Sequence, residues 1–127
     1  MSGSDLPRPT DGELEILRVL WEHAPCSVRD VHERISDRRG TAFNTTLKLM
    51  QIMHGKGIVA RDDSRRPHVY RPAAPQDEMQ QSLAADFLER AFGGSARKLV
   101  AALTAADISD EELSAIRQLL DEREEGQ

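Results

Sequence analysis

The sequence predicts a mainly α-helical protein that contains one small β-hairpin. Over most of the 127 residues, apolar side chains recur three and four positions apart, which is the spacing of one helix face. Two β-prone runs, at 58–61 and 68–71, are separated by a polar turn at 62–67 and therefore predict a hairpin. Three helices followed by a hairpin is the element order of a winged helix-turn-helix domain, and three further helices are predicted after it.

The first helix is predicted to begin at a capping box and to end before a proline. Thr10 can cap the backbone while Glu13 reaches back to the same turn. Residues 1–9, with Ser, Gly and two prolines, are expected to form a disordered arm. Proline disfavours helix in the residue before it, so the helix should end near Ala24 and Pro25. Its inward face carries Leu14, Leu17, Leu20 and Trp21.

The second and third helices complete the helical part of the predicted domain. Ser27 is expected to cap the second helix, and residues 37–40 form a loop after it. The third helix should start around 42–44 and run to about Gly55, with Gly57 as a left-handed stop. The inward residues are Val28, Val31 and Ile35 in the second helix and Leu47, Met50 and Met53 in the third.

The last 53 residues predict a helical dimerisation region. A proline-bracketed linker separates them from the winged-helix domain, which we assign to residues 10–74, and the region itself spans 75–127. Three short amphipathic helices bury too little apolar surface to be stable alone, so their stripes call for a partner. A second copy of the chain is the simplest one. The residues predicted to dimerise are Met79, Leu83, Phe87, Leu99, Val100, Leu103, Leu113, Ile116, Leu119 and Leu120.

Composition and charge exclude several classes of protein. No apolar run approaches the length of a membrane span, the first residues lack the pattern of a secretory signal, and a single cysteine fits the reducing cytoplasm.

The net charge of −5 conceals an asymmetry, since residues 1–74 carry 12 basic and 10 acidic side chains, whereas residues 75–127 carry 5 and 12. Residues 38–71 contain 8 basic and 2 acidic side chains, which is the charge pattern of a nucleic-acid-binding surface.

The third helix is the candidate reader of a DNA duplex. Its predicted core stripe leaves Asn44, Thr45, Lys48 and Gln51 on other faces, and a recognition helix enters the major groove by its N-terminal half. Asn and Gln can pair with adenine, Thr can contact a methyl group, and Lys can reach guanine or phosphate. The alternative is that these four residues form an ordinary hydrated helix surface.

The hairpin supplies candidate contacts to the DNA backbone. Arg61, Arg65, Arg66 and His68 lie in or beside its turn, where they would neutralise phosphates without reading sequence. Arg38 and Arg39, just before the third helix, are weaker candidates for the same role. The alternative is a solvated hairpin whose charges serve solubility.

Nothing in the sequence predicts an enzyme, a metal site or a cofactor. The four histidines have no ligand spacing with one another or with Cys26. Phosphate-binding glycine loops and the HExxH and GxSxG motifs are not found in the sequence. We therefore expect a protein without catalytic activity.

Several segments in order resemble the penicillinase-repressor family, the BlaI/MecI/CopY group of transcriptional regulators. The resemblance runs from about Leu6 to Glu122 and no single motif decides it. The segments that carry it are Thr10–Leu17 with Leu20–Trp21, Val28–Val31, Ala42–Thr46, His68–Pro72, Phe92–Ser95, Leu99–Val100 and Ile108–Leu113.

The resemblance implies a homodimeric repressor of a dyad-symmetric operator with TACA and TGTA half-sites. It places Asn44, Thr45 and Lys48 against bases and the hairpin arginines against phosphates. In antibiotic-sensing members a membrane metalloprotease cuts an Asn-Phe bond, but this chain has Ala102-Leu103 at that place, and it also lacks the C-terminal cysteines of copper-responsive members. Control by a membrane metalloprotease sensor or by copper is therefore not expected.

Two functional hypotheses follow from the sequence. The first is a cytoplasmic, dimeric repressor that binds double-stranded operator DNA. The second is a winged-helix protein-interaction module whose basic window binds an acidic partner without specific DNA binding. DNA binding upstream of the protein's own gene discriminates between them.

Overall fold

The computed structural model describes residues 6–39 and 42–126, with backbone alone for residues 36–39. Within these residues it contains six helices and one antiparallel hairpin, so the predicted fold class is confirmed. None of the described helices is both long and apolar enough to cross a membrane. The elements are α1 (Asp11–His23), α2 (Val28–Arg39), α3 (Phe43–Lys56), β1 (Val59–Asp62), β2 (Val69–Pro72), α4 (Gln76–Phe92), α5 (Ala96–Ala105) and α6 (Asp110–Glu125).

The helix starts follow local hydrogen bonding as predicted. At α1 the Glu13 amide donates to Thr10 Oγ1 over 3.3 Å, and the Thr10 amide donates to Glu13 Oε1 over 2.9 Å. Ser27 and Asp30 form the same reciprocal pair at α2, at 3.1 and 3.0 Å, although only the serine was predicted. Gly57 ends α3 with φ of 81°, a left-handed conformation that glycine adopts without a Cβ clash.

An aliphatic core lies between α1, α2, α3 and the hairpin. Its buried members come from every one of these elements, and Tyr70 is its aromatic member. The main-chain N–H groups of Cys26 and Tyr70 each donate to the other's carbonyl, at 3.0 and 2.7 Å, which ties the α1–α2 connection to β2. The core comprises Ile16, Leu17, Leu20, Cys26, Val31, Ile35, Met50, Met53, Ile58, Val59, Tyr70 and Met79.

The inward stripe of α3 differs from the predicted one at one position. Thr46 is fully buried beside Met50 and Met53, whereas Leu47, predicted to be in the core, is only half-buried. Thr46 tolerates burial because its hydroxyl lies 3.2 Å from Nδ1 of His32 on α2. Leu47 faces a groove beside the hairpin instead.

The described chain forms two compact units, one up to Asp86 and one from Phe87 onward. The predicted boundary lay at 74/75, and the difference arises because the first half of α4 packs on the first unit. Met79 is only 4% exposed there, and Leu83 is packed against the same core. Residues 1–5 of the predicted arm lie outside the described residues, but the rest of it differs from its prediction, because Leu6 packs against the core and Arg8 Nη1 lies 2.7 Å from Asp86 Oδ2.

Candidate nucleic-acid interface

One face of α3 is free of the core and carries all four predicted reading residues. Asn44, Thr45, Lys48 and Gln51 are exposed, and at 3.6 residues per turn they fall within about a third of the helix circumference. Ile52 lies on the same face and is 45% exposed, which the sequence analysis missed. Ile52 follows Lys48 by four positions and Thr45 by seven, and this helical spacing could have placed it on the same face from the sequence alone. The face is therefore polar with one apolar contact point.

The start of α3 is anchored by aromatic contacts with α2. The Phe43 ring meets the His32 ring edge-on, with centroids 5.5 Å apart, and the Arg29 guanidinium carbon lies 5.0 Å from the centre of the Phe43 ring. Arg29 is exposed and was not predicted as a site residue. The first turn of α3 contains no acidic residue, and its N-cap residue, Ala42, makes no side-chain hydrogen bond. This end of the helix is therefore electropositive.

The hairpin arginines fall into two groups. Arg61 is bound by Asp63: its Nε donates to Oδ1, and its Nη2 donates to Oδ2 over 3.3 Å. Hydrogen bonding to Asp63 raises the pKa of Arg61, and the same bonds lower the pKa of Asp63. Arg65 and Arg66 are exposed and form no ion pair with any residue in the described part of the chain. These two are the hairpin's available cations.

A groove of about 660 Å³ joins the hairpin to α3. It brings Gln51 together with Arg61, Arg66 and His68 of the hairpin and with Arg29 of α2. Four residues predicted in two separate roles therefore share one surface. Arg38 and Arg39 cannot be placed, because their side chains lie outside the described residues.

The unit from Phe87 onward exposes most of the residues that were predicted to dimerise. Its helices α5 and α6 contain no buried residue. Leu99 and Ile116 are half-buried, whereas Met79 and Leu83 lie in the first unit and pack on its core. The large apolar side chains exposed in this unit are Phe87, Val100, Leu103, Leu113, Leu119 and Leu120.

The single cysteine has a structural position. Cys26 is 2% exposed, and its thiol donates to the carbonyl of His23 over 3.3 Å. Burial raises its pKa, so the thiol stays protonated and unreactive at neutral pH. Among the described residues no group of His, Cys, Asp and Glu is arranged to hold a metal ion.

The three-helix and hairpin arrangement, with an exposed polar face on α3, defines a winged helix-turn-helix protein. A sequence model of the family described as "Penicillinase repressor" matches residues 9–122, and the chain belongs to this family. It is 31% identical over 122 residues to the "Transcriptional regulator BlaI" of Mycobacterium tuberculosis, covering 95% of this chain and 88% of the relative. It is 25% identical over 118 residues to the "Penicillinase repressor" of Bacillus licheniformis, covering 92% of each.

A solved structure shares the fold of more than half of this chain. The Bacillus licheniformis BlaI monomeric form in complex with the blaP half-operator superposes with a TM-score of 0.51 at 23% sequence identity. The superposition covers 58% of this chain and 90% of that chain. The family-model match over residues 9–122 confirms the predicted family resemblance.

Proposed function

We propose that the protein is a DNA-binding transcriptional repressor that binds a dyad-symmetric operator as a homodimer. The observation that carries the proposal is the exposed polar face of α3 beside a hairpin with two available arginines, in a chain whose relatives are named as repressors and regulators. The BlaI structure in complex with a half-operator supports a DNA duplex as the ligand. We assign the protein no catalytic role and place it in the cytoplasm.

Base reading belongs to α3. A helix of 14 residues is about 21 Å long and fits the major groove, which is about 12 Å wide. Asn44, Thr45, Lys48 and Gln51 then present donors and acceptors to base edges, while Ile52 offers an apolar surface to a thymine methyl group. The electropositive start of the helix lies near the phosphates that border the groove.

Backbone contacts belong to the hairpin and to α2. Arg65 and Arg66 contact phosphates in this proposal. Arg29 and His68, which line the protein's own groove between the hairpin and α3, contribute further phosphate contacts. Arg38, Arg39 and Arg61 have the same proposed role, although Arg61 must first leave Asp63. These contacts determine the affinity for DNA and its salt dependence, whereas α3 determines which base sequence is bound.

Dimerisation belongs to the unit from Phe87 onward. Its exposed apolar side chains would be covered by a second copy, which holds two α3 helices at a fixed separation. Two half-sites about one DNA turn apart are then bound together. Inactivation by a membrane metalloprotease is not part of the proposal, because Ala102 and Leu103 stand where the cleaved Asn-Phe pair would be.

Replacing Asn44 by Ala is expected to weaken operator binding selectively. Loss of a base contact costs about 1–3 kcal/mol, or roughly five- to 150-fold in affinity, whereas binding to a random duplex changes less than about twofold. Titrations of both duplexes at equal salt measure the difference, with Gln81→Ala on the exposed side of α4 as the matched control. Lys48→Ala should behave like Asn44→Ala. Equal losses on both duplexes would remove α3 from the reading role.

Replacing Arg65 and Arg66 together by Ala is expected to weaken all DNA by the same factor. Two phosphate contacts are lost, so the slope of log K against log salt becomes shallower by about 2. Titrations of operator and random duplex across salt concentrations measure that slope. A change confined to the operator would mean that the hairpin reads sequence. Failure of the unaltered protein to bind any duplex at low salt would instead favour a protein-interaction module.

A further inference from the structure

The hairpin carries an anion among its cations. The Asp63 carboxylate accepts two hydrogen bonds from the Arg61 guanidinium, and its Oδ1 lies 3.6 Å from Nδ1 of His68. Arg61 and His68 both line the groove beside α3. Asp63 therefore places a negative charge between these two side chains.

The neighbouring aspartate has a different role. Oδ1 of Asp62 accepts from the Ser64 amide over 3.0 Å and from the Ser64 hydroxyl over 2.6 Å. These bonds shape the turn of the hairpin, and Asp62 attracts Arg65 by charge without a hydrogen bond to it. Two adjacent residues of equal charge thus differ in their partners, one being bound to an arginine and the other to a serine.

We propose that Asp63 is a specificity-determining residue that withholds Arg61 from the DNA backbone until α3 is seated in its operator. The inference rests on the proposed function. When a DNA phosphate binds Arg61, the ion pair of Arg61 with Asp63 is replaced by an ion pair of Arg61 with the phosphate. Exposed ion pairs differ little in energy. On a random duplex this exchange adds almost nothing to binding. On the operator, base contacts press the hairpin onto the backbone and make the exchange favourable.

The consequence is a larger ratio of specific to non-specific affinity. Non-specific binding to DNA is supplied almost entirely by cations on phosphates, so withholding one arginine lowers it directly. Specific binding loses less, because the contacts of α3 are unaffected. That ratio, multiplied by the number of competing sites, decides how well a repressor finds its operator.

The test compares Asp63→Asn with Asp62→Asn, which changes the net charge equally at the adjacent position. We expect Asp63→Asn to raise affinity for a random duplex about three- to tenfold and to steepen the slope of log K against log salt by about 1. Operator affinity should rise less, so the specificity ratio falls. Asp62→Asn should change the slope by less than half as much. Asp63→Ala, which cannot accept any bond from Arg61, should match or exceed Asp63→Asn.

Arg61 must carry the effect. In an Arg61→Ala background, Asp63→Asn should give no gain on the random duplex over Arg61→Ala alone, whereas an effect of net charge would persist in that background. Equal gains for the two aspartate variants, or a gain that survives the loss of Arg61, would show that net charge alone acts and would overturn the inference. If the unaltered protein binds operator normally while Asp63→Asn and Asp63→Ala change nothing, the inference fails and the proposed function stands. If the unaltered protein binds no duplex, both are overturned.

Discussion

Replacing Leu120 by glutamate is expected to convert the protein into a monomer and to weaken operator binding by about two orders of magnitude or more. Leu120 is 57% exposed on α6 and continues the apolar stripe of Leu113 and Ile116. A carboxylate introduced there would be buried without a partner when a second copy covers the stripe, and an unpaired buried charge costs several kcal/mol. We expect this penalty to exceed the free energy that the association of two chains provides.

The loss of affinity follows from the loss of the link between two half-sites. When one α3 helix of a dimer is bound, the second faces its half-site at an effective concentration of about millimolar, and linkage of this kind raises overall affinity by about 10²–10⁴-fold. A monomer retains the contacts to one half-site and loses this gain. We therefore expect a single half-site to be bound by Leu120→Glu as well as by the unaltered protein.

Sedimentation of the free protein and titration of full and half operators measure the two effects. Gln118→Glu is the matched control, because it creates the same residue on the opposite, exposed side of α6. It should remain dimeric and bind the full operator normally. If Leu120→Glu stays dimeric, the apolar stripe of α6 is not the interface. If it becomes monomeric but keeps full affinity, the two half-sites are not bound together.

Features set by neighbouring residues could be predicted from the sequence. The capping box of Thr10 and Glu13, the left-handed stop at Gly57 and the exposed face of α3 each depend on spacings of a few residues. Local hydrogen bonds and helical periodicity fix these features almost independently of the rest of the chain. The predicted reading residues, which the sequence places only outside the core stripe, accordingly lie on one exposed face of α3.

Features set by distant contacts could not be predicted in the same way. Thr46 replaces Leu47 in the core only because His32 of α2 supplies a partner for its hydroxyl. Met79 was assigned to dimerisation from its helix stripe, but the stripe does not reveal which partner it packs against. Arg61 looked like a free cation, and its ion pair with Asp63 depends on the geometry of the turn.

Replacing Glu13 by alanine is expected to destabilise the first unit by about 2–4 kcal/mol. Glu13 is 2% exposed, and its Oε1 accepts from Lys56 Nζ over 2.7 Å and from the Thr10 amide over 2.9 Å. One carboxylate thus joins the start of α1 to the last turn of α3. Its removal leaves the Thr10 amide without its capping partner and takes away the counter-charge of Lys56, which is 37% exposed and can be rehydrated.

Glutamine at position 13 separates the two contributions. Glu13→Gln keeps an oxygen for the Thr10 amide and removes the charge, so we expect a loss about half that of alanine. Urea unfolding at neutral pH measures both variants. Glu33→Gln, an exposed carboxylate on α2, is the control and should change the free energy of unfolding by less than about 0.5 kcal/mol. Equal losses for alanine and glutamine would assign the whole effect to the ion pair.

The pH dependence of the free energy of unfolding is a second test of the role of Glu13. Burial raises the pKa of this carboxyl, but the hydrogen bonds from Lys56 and Thr10 outweigh it, and the net pKa is lowered. A lowered pKa in the folded state stabilises the fold above the ordinary carboxyl pKa, and this stabilisation is lost as the pH falls through the lowered value. The difference in unfolding free energy between the unaltered protein and Glu13→Gln should therefore be largest at neutral pH and shrink on acidification. A difference that stays constant into the acid range would mean that Glu13 acts through packing alone, because only an ionised carboxylate can lose its contribution by taking up a proton.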